Sequence, residues 1–164
     1  MTAPASAAQV RGWLVIRIAL IVVVVAGLTI DAYVHFDLAS NYRLIKTSTL
    51  SQADLFRAEG AVAVIAALLL LVRPRRYTAA IAALVAGSAL LVLLIYRYND
   101  IGQLGPIPSM YEPIWYTKKT VSAYAEGAAL LAAVLLLFVP RTRPAPTVDH
   151  PGSRTLLPPT ATSS

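Results

Sequence analysis

AVAVIAALLLLVRPRRYTAAIAALVAGSALLVLLIYRYND, residues 61–100, carries apolar sequence on both sides of a basic turn, Arg73-Pro74-Arg75-Arg76. The flanking stretches, near Ala53–Val72 and Tyr77–Tyr96, are each about 20 residues long. At 1.5 Å rise per residue that length crosses a hydrocarbon core of roughly 30 Å. Pro74 stops the first helix and starts the return. Short basic loops stay on the cytoplasmic side of a membrane, so the turn predicts a helical hairpin with its tip inside.

Two further apolar stretches, near Trp13–Tyr33 and Val121–Val139, extend the hairpin to four spans. Arg11, Arg17, Arg141 and Arg143 flank them on the side of the arginine turn. Seven of the eight acidic residues, Asp31, Asp37, Asp54, Glu59, Asp100, Glu112 and Glu126, fall on the other side. The expected fold is an all-α, four-helix transmembrane bundle of the plasma membrane, with both termini cytoplasmic. Residues 1–10 and 141–164 read as disordered ends around a four-span domain at 11–140. Five prolines from Pro144 to Pro159 mark the second of these. The first apolar run continues into Asp31-Ala32-Tyr33 with no convincing small-x-small cleavage site, so it is expected to be an uncleaved span.

A hydrophobic content of 57% with 13% charged residues is wrong for a soluble domain and ordinary for a bundle in lipid. The net charge of +6 hugs the ends of spans, which argues for anionic lipid and against nucleic acid as its partner. With no cysteine, the chain by itself has no disulfide, thiolate or iron–sulfur chemistry. His35 and His150 cannot form a bis-histidine haem site in one bundle, because His150 lies in the tail.

Spans two and four share a pattern at an offset of 67 residues: Ala58-Glu59-Gly60-Ala61 matches Ala125-Glu126-Gly127-Ala128. Spans one and three pair less well, Tyr33 with Tyr96 and Asp37 with Asp100. A duplicated hairpin is one reading, and coincidence in a biased composition is the other. Small residues recur every fourth position in span three (Ala79, Ala83, Gly87) and span four (Ala125, Ala129, Ala133), which predicts close helix packing. Ser51-Gln52-Ala53-Asp54 has capping-box spacing for the start of span two.

Glu59 and Glu126 fall roughly two turns inside the outer ends of their spans. A carboxylate in hydrocarbon costs several kcal/mol unless paired, protonated or hydrated, so both should face inward. Asp31 and His35 share a face of span one, as Arg97 and Asp100 do at the end of span three. Asp31, His35, Glu59, Arg97, Asp100 and Glu126 thus form a candidate ligand or proton site, with Arg97 the expected partner of a glutamate. Three readings stay open: a packing lock, a site for protons or a cationic ligand, and a divalent metal held by Asp31, His35, Glu59 and Glu126. No Glu-x-x-His motif of the di-iron bundles is present, so no metal is assigned. The proline-rich outer segment, residues 105–116, predicts an aromatic anchor or a cap over the cluster, with Tyr111, Glu112 and Trp115 as its candidate residues.

Through Tyr96-Arg97-Tyr98, Gly105-Pro106 and Met110-Tyr111-Glu112-Pro113-Ile114-Trp115-Tyr116, the chain resembles a group of small, uncharacterised four-span membrane proteins of high-GC Gram-positive bacteria. That resemblance implies a fold and brings no activity. In size and layout the chain is more distantly similar to DoxX-like membrane proteins, which implies quinone-linked oxidation with a quinone as cofactor. No DoxX motif residue has a counterpart here. The expected function is that of a non-enzymatic accessory or scaffold protein, as a homodimer or in a larger membrane complex, without a cofactor of its own. The alternatives are a proton or small-molecule binding or transport unit using Glu59 and Glu126, and a DoxX-like redox subunit.

Overall fold

The computed structural model describes residues 6–140. Four helices account for most of them: α1 (Ala7–Ala39), α2 (Gln52–Val72), α3 (Arg76–Tyr98) and α4 (Thr117–Phe138). All four are long and apolar enough to cross a membrane. They run alternately up and down. At one end the Arg17 guanidinium of α1 donates to the Pro74 carbonyl in the α2–α3 turn. At the other, Lys118 of α4 pairs with Asp37 of α1. We call these the arginine end and the loop end; the latter carries both long connections, residues 40–51 and 99–116.

Helix boundaries follow local chemistry. Ser6 caps α1, its hydroxyl accepting from Gln9 N–H at 3.3 Å, and the alanines that follow are good helix formers. Residues 7–10, expected to belong to an unstructured end, therefore open the first helix. The capping box at Ser51 and Asp54 is present in both directions. At the α2–α3 turn the Thr78 hydroxyl accepts from Arg75 N–H at 3.0 Å. Helix α4 starts at Thr117, one turn before the apolar run, because Lys118 and Lys119 both find carboxylates at the loop end. The expected tail, residues 141–164, lies outside the described residues.

The centre of the bundle is built from small side chains. Ala63, Ala66 and Ala67 of α2, Ala79, Ala82 and Ala86 of α3, and Ala129, Ala132 and Ala133 of α4 surround Val24 and Leu28 of α1. Large apolar residues such as Val22, Ile65, Leu84, Leu131 and Phe138 point outward. That inversion suits lipid, where close backbone packing replaces a hydrophobic drive between helices. The chain is a multi-pass membrane protein.

The tightest approach is between α1 and α4. A Cβ on Gly27 would stand 2.6 Å from the Ala125 carbonyl oxygen and 2.9 Å from the Ala129 Cβ. A Cβ on Gly60 would similarly stand 3.0 Å from the Phe36 ring, whereas one on Gly127 would meet nothing nearer than Leu90 at 4.0 Å. Helix α1 packs on both α2 and α4, and α3 packs chiefly on α4. The α2–α3 pair makes the slightest of the four interfaces. A strict two-fold relation between the hairpins would equate that pair with α1–α4, so the two halves are not packed alike.

Candidate functional site

Close packing across Gly27 sets the geometry one turn further along α1. There Asp31 faces α4, and its neighbour at i+4, His35, stands on the same side. His35 Nδ1 lies 2.9 Å from Asp31 Oδ1 and 3.0 Å from the Asp31 carbonyl oxygen. Phe56 of α2 holds the imidazole edge-on, with ring centroids 5.3 Å apart. Helix α4 presents the same spacing in reverse chemistry, Ser122 and Glu126.

Ser122 Oγ sits between the helices, 2.7 Å from Asp31 Oδ1 and 3.0 Å from Glu126 Oε1. Both acids are fully buried, at 0% exposure. One oxygen of each lies within 4.8 Å of the other. Glu59, partly buried on α2, faces His35 and Asp31 closely enough to interact with both electrostatically. Counted from the loop-end termini of their helices, these carboxyls lie about 10–14 Å deep at 1.5 Å per residue.

Hydrogen-bond supply is the problem this cluster poses. A hydroxyl has one hydrogen, so Ser122 donates to only one of its two carboxyl neighbours. Asp31 Oδ2, Glu126 Oε2 and Glu59 Oε1 are buried without a hydrogen-bond partner. They make up three of the five such side-chain atoms among the described residues. Among the described residues no lysine or arginine pairs with them, and His35 is the only basic group in contact. Carboxylates this close, in so apolar a setting, hold their charge only with a cation between them.

The other expected site residues lie elsewhere. Arg97 makes no ion pair among the described residues. Its guanidinium carbon stacks over Tyr98 and Trp115, 5.0 and 5.4 Å from their ring centroids. An interfacial ring pair therefore takes the place of the expected glutamate, because Arg97 sits almost at the end of α3. Asp100 is exposed and accepts from Gly102 N–H in the turn that follows.

Glu112 does not reach the buried acids as a cap would. Its N–H donates to the Tyr96 carbonyl, and its carboxylate accepts from the Tyr42 hydroxyl, 2.9 Å from each oxygen. Lys119 pairs with it at 3.2 Å, and Tyr116 adds a contact at 3.4 Å. Burial, then the contacts with Tyr116 and Glu112, push the Tyr42 phenol far above the ordinary tyrosine range. Burial also raises Tyr116. Both phenols therefore remain hydrogen-bond donors. A shallow pocket of about 470 Å³ opens beside this clasp, lined by Leu38, Asn41, Tyr42, Glu112, Tyr116 and Lys118. Tyr111 and Trp115 stay partly exposed along the loop.

Sequence reasoning missed Ser122, Tyr42 and Lys119. The spacing of Ser122 and Glu126, identical to that of Asp31 and His35, was the one available signal. Tyr42 had none, since its partners lie in a segment remote along the chain. No family model matches this chain, and no curated protein or solved structure is similar to it.

Proposed function

We propose that this protein binds a cation within the membrane, at the meeting of α1, α2 and α4 near the loop end. The observation that carries this reading is the Asp31–Ser122–Glu126 bridge. Two fully buried carboxyls share one hydroxyl hydrogen, and each retains an oxygen with no donor. A packing lock would have its polar atoms paired within the protein, since an unpaired buried group costs about 1–3 kcal/mol. The positive-inside rule sets the arginine end in the cytoplasm and the site in the outer half of the plasma membrane.

Anything that binds the folded state stabilises it as its concentration rises. The test is thermal unfolding of the purified protein in detergent, across pH and across added mono- and divalent cations. The wild-type midpoint should move with the concentration of at least one cation, the proton included. Asp31→Asn with Glu126→Gln, isosteric and uncharged, should fold and lose that response. A wild-type midpoint indifferent to every cation, together with an equally stable double variant, would return the cluster to a packing role.

A further inference from the structure

The donors at this site have the chemistry of a metal centre, and we infer that Asp31, His35 and Glu126 hold a single divalent transition-metal ion. This rests on the cation-binding reading above and names the cation. One donor atom from each of the three residues lies within 4.8 Å of the others. Donors around one ion at about 2.1 Å stand at most roughly 4.2 Å apart, so a small carboxyl rotation closes the set.

Three independent features favour a metal over a proton alone. The first is charge. Two carboxylates and a neutral imidazole around a divalent ion make a neutral unit, the form that costs least where water is excluded. The second is hydrogen-bond supply. The orphaned oxygens Asp31 Oδ2 and Glu126 Oε2 belong to side chains that are fully buried, on carboxyls already clasped by Ser122. One shared proton serves both only while it stays between them; a metal ion takes a lone pair from each at once. The third is support around the donors. Ser122 lies between the two acids and donates to one of them, and Phe56 meets the imidazole edge-on, as groups around metal ligands commonly do.

The Glu-x-x-His spacing of di-iron bundles is indeed absent, but the fold supplies donors another way. A four-residue pair on α1 faces a four-residue pair on α4 across the Gly27 contact. Glu59 stands on the third side, one oxygen without a partner, and acts on the site through its charge rather than as one of the three donors. A mixed set of carboxylate oxygen and imidazole nitrogen with no sulfur suits zinc, manganese or ferrous iron. It does not suit cuprous copper, and the histidine argues against magnesium or calcium.

The test uses the full chain in detergent, stripped with a chelator and then given Zn²⁺ or Co²⁺. Elemental analysis after desalting should find one metal per chain, and Co²⁺ should develop the visible bands of a nitrogen–oxygen site. Asp31→Asn with Glu126→Gln should lower retention at least tenfold. Should that double variant fail to fold, His35→Gln and Glu126→Gln made singly give the same readout. Ser88→Ala, an exposed α3 hydroxyl that bonds only the Val85 carbonyl, should retain the metal. Wild-type protein that holds no stoichiometric Zn²⁺ or Co²⁺, or variants of Asp31, His35 and Glu126 that hold as much as wild type, would overturn the assignment. If the midpoint then still moves with pH and not with metal, the cation is a proton and only this inference fails. If it moves with neither, both readings fail.

Discussion

Two carboxylate clusters sit at the loop end, separated by about 10 Å along α4 between Lys119 and Glu126, and they are satisfied in opposite ways. The shallower one joins Glu112 to Tyr42, Tyr116 and Lys119. Its acceptors have donors, its charge has a lysine, and it closes on itself. The deeper one joins Asp31, Glu126, His35 and Glu59 through a single serine. Among the described residues it has more acids, fewer donors and no lysine or arginine. Both pin connections between helices, so holding the bundle together does not explain why only one is left incomplete. A cluster finished by the protein itself is architecture; one left short of positive charge in hydrocarbon points to something supplied from outside.

The comparison breaks most sharply at Gly27. Gly27→Val forces a Cβ against the Ala125 carbonyl and should open the α1–α4 seam. Overpacking of this kind costs about 3 kcal/mol. It should also separate Asp31 from Ser122 and Glu126, so the lowered unfolding midpoint should come with a lost cation response. A variant that lost stability yet kept full metal retention would show that the seam does not build the deep site.

The shallow cluster should behave in the opposite sense. Tyr42→Phe removes a donor to a carboxylate, a loss of about 1.5 kcal/mol by denaturant unfolding. Lys119→Met should cost about 1 kcal/mol, since Glu112 is partly exposed and solvent screens the pair. Neither should change Zn²⁺ or Co²⁺ retention by as much as twofold. A large loss of metal in either would join the two clusters into one functional unit.

The smallest effect should come from Gly127. Its sequence context matches that of Gly60, yet a Cβ there meets only Leu90 at 4.0 Å. Gly127→Ala should shift stability by no more than about 0.5 kcal/mol, while Gly60→Ala, against the Phe36 ring and the Ala32 carbonyl, should cost more. Equal effects on unfolding would mean that the two hairpins pack more alike than their contacts imply. Orientation is testable on the same chain, which has no native cysteine. Ser48→Cys should react with an impermeant maleimide added outside intact cells, and Arg75→Cys should not.

Linear sequence is enough to establish the four spans, the sharp turn at Pro74, the capping box at Ser51 and the separation of charges between the ends. Those features depend on length, on proline and on spacing within one segment, all of which are local. It also pointed to Asp31, His35, Glu59 and Glu126, because an ionisable group deep in an apolar run is conspicuous wherever it points. It did not decide that Arg97 would lie on Trp115, that Glu112 would turn to Tyr42, or that Ser122 would join Asp31 to Glu126. These helices are apolar on every side, so periodicity does not say which face meets which neighbour. Tertiary structure decided that, through the small residues at which backbones approach, and the closest of these, Gly27 against Ala125, is what brings the two buried acids together.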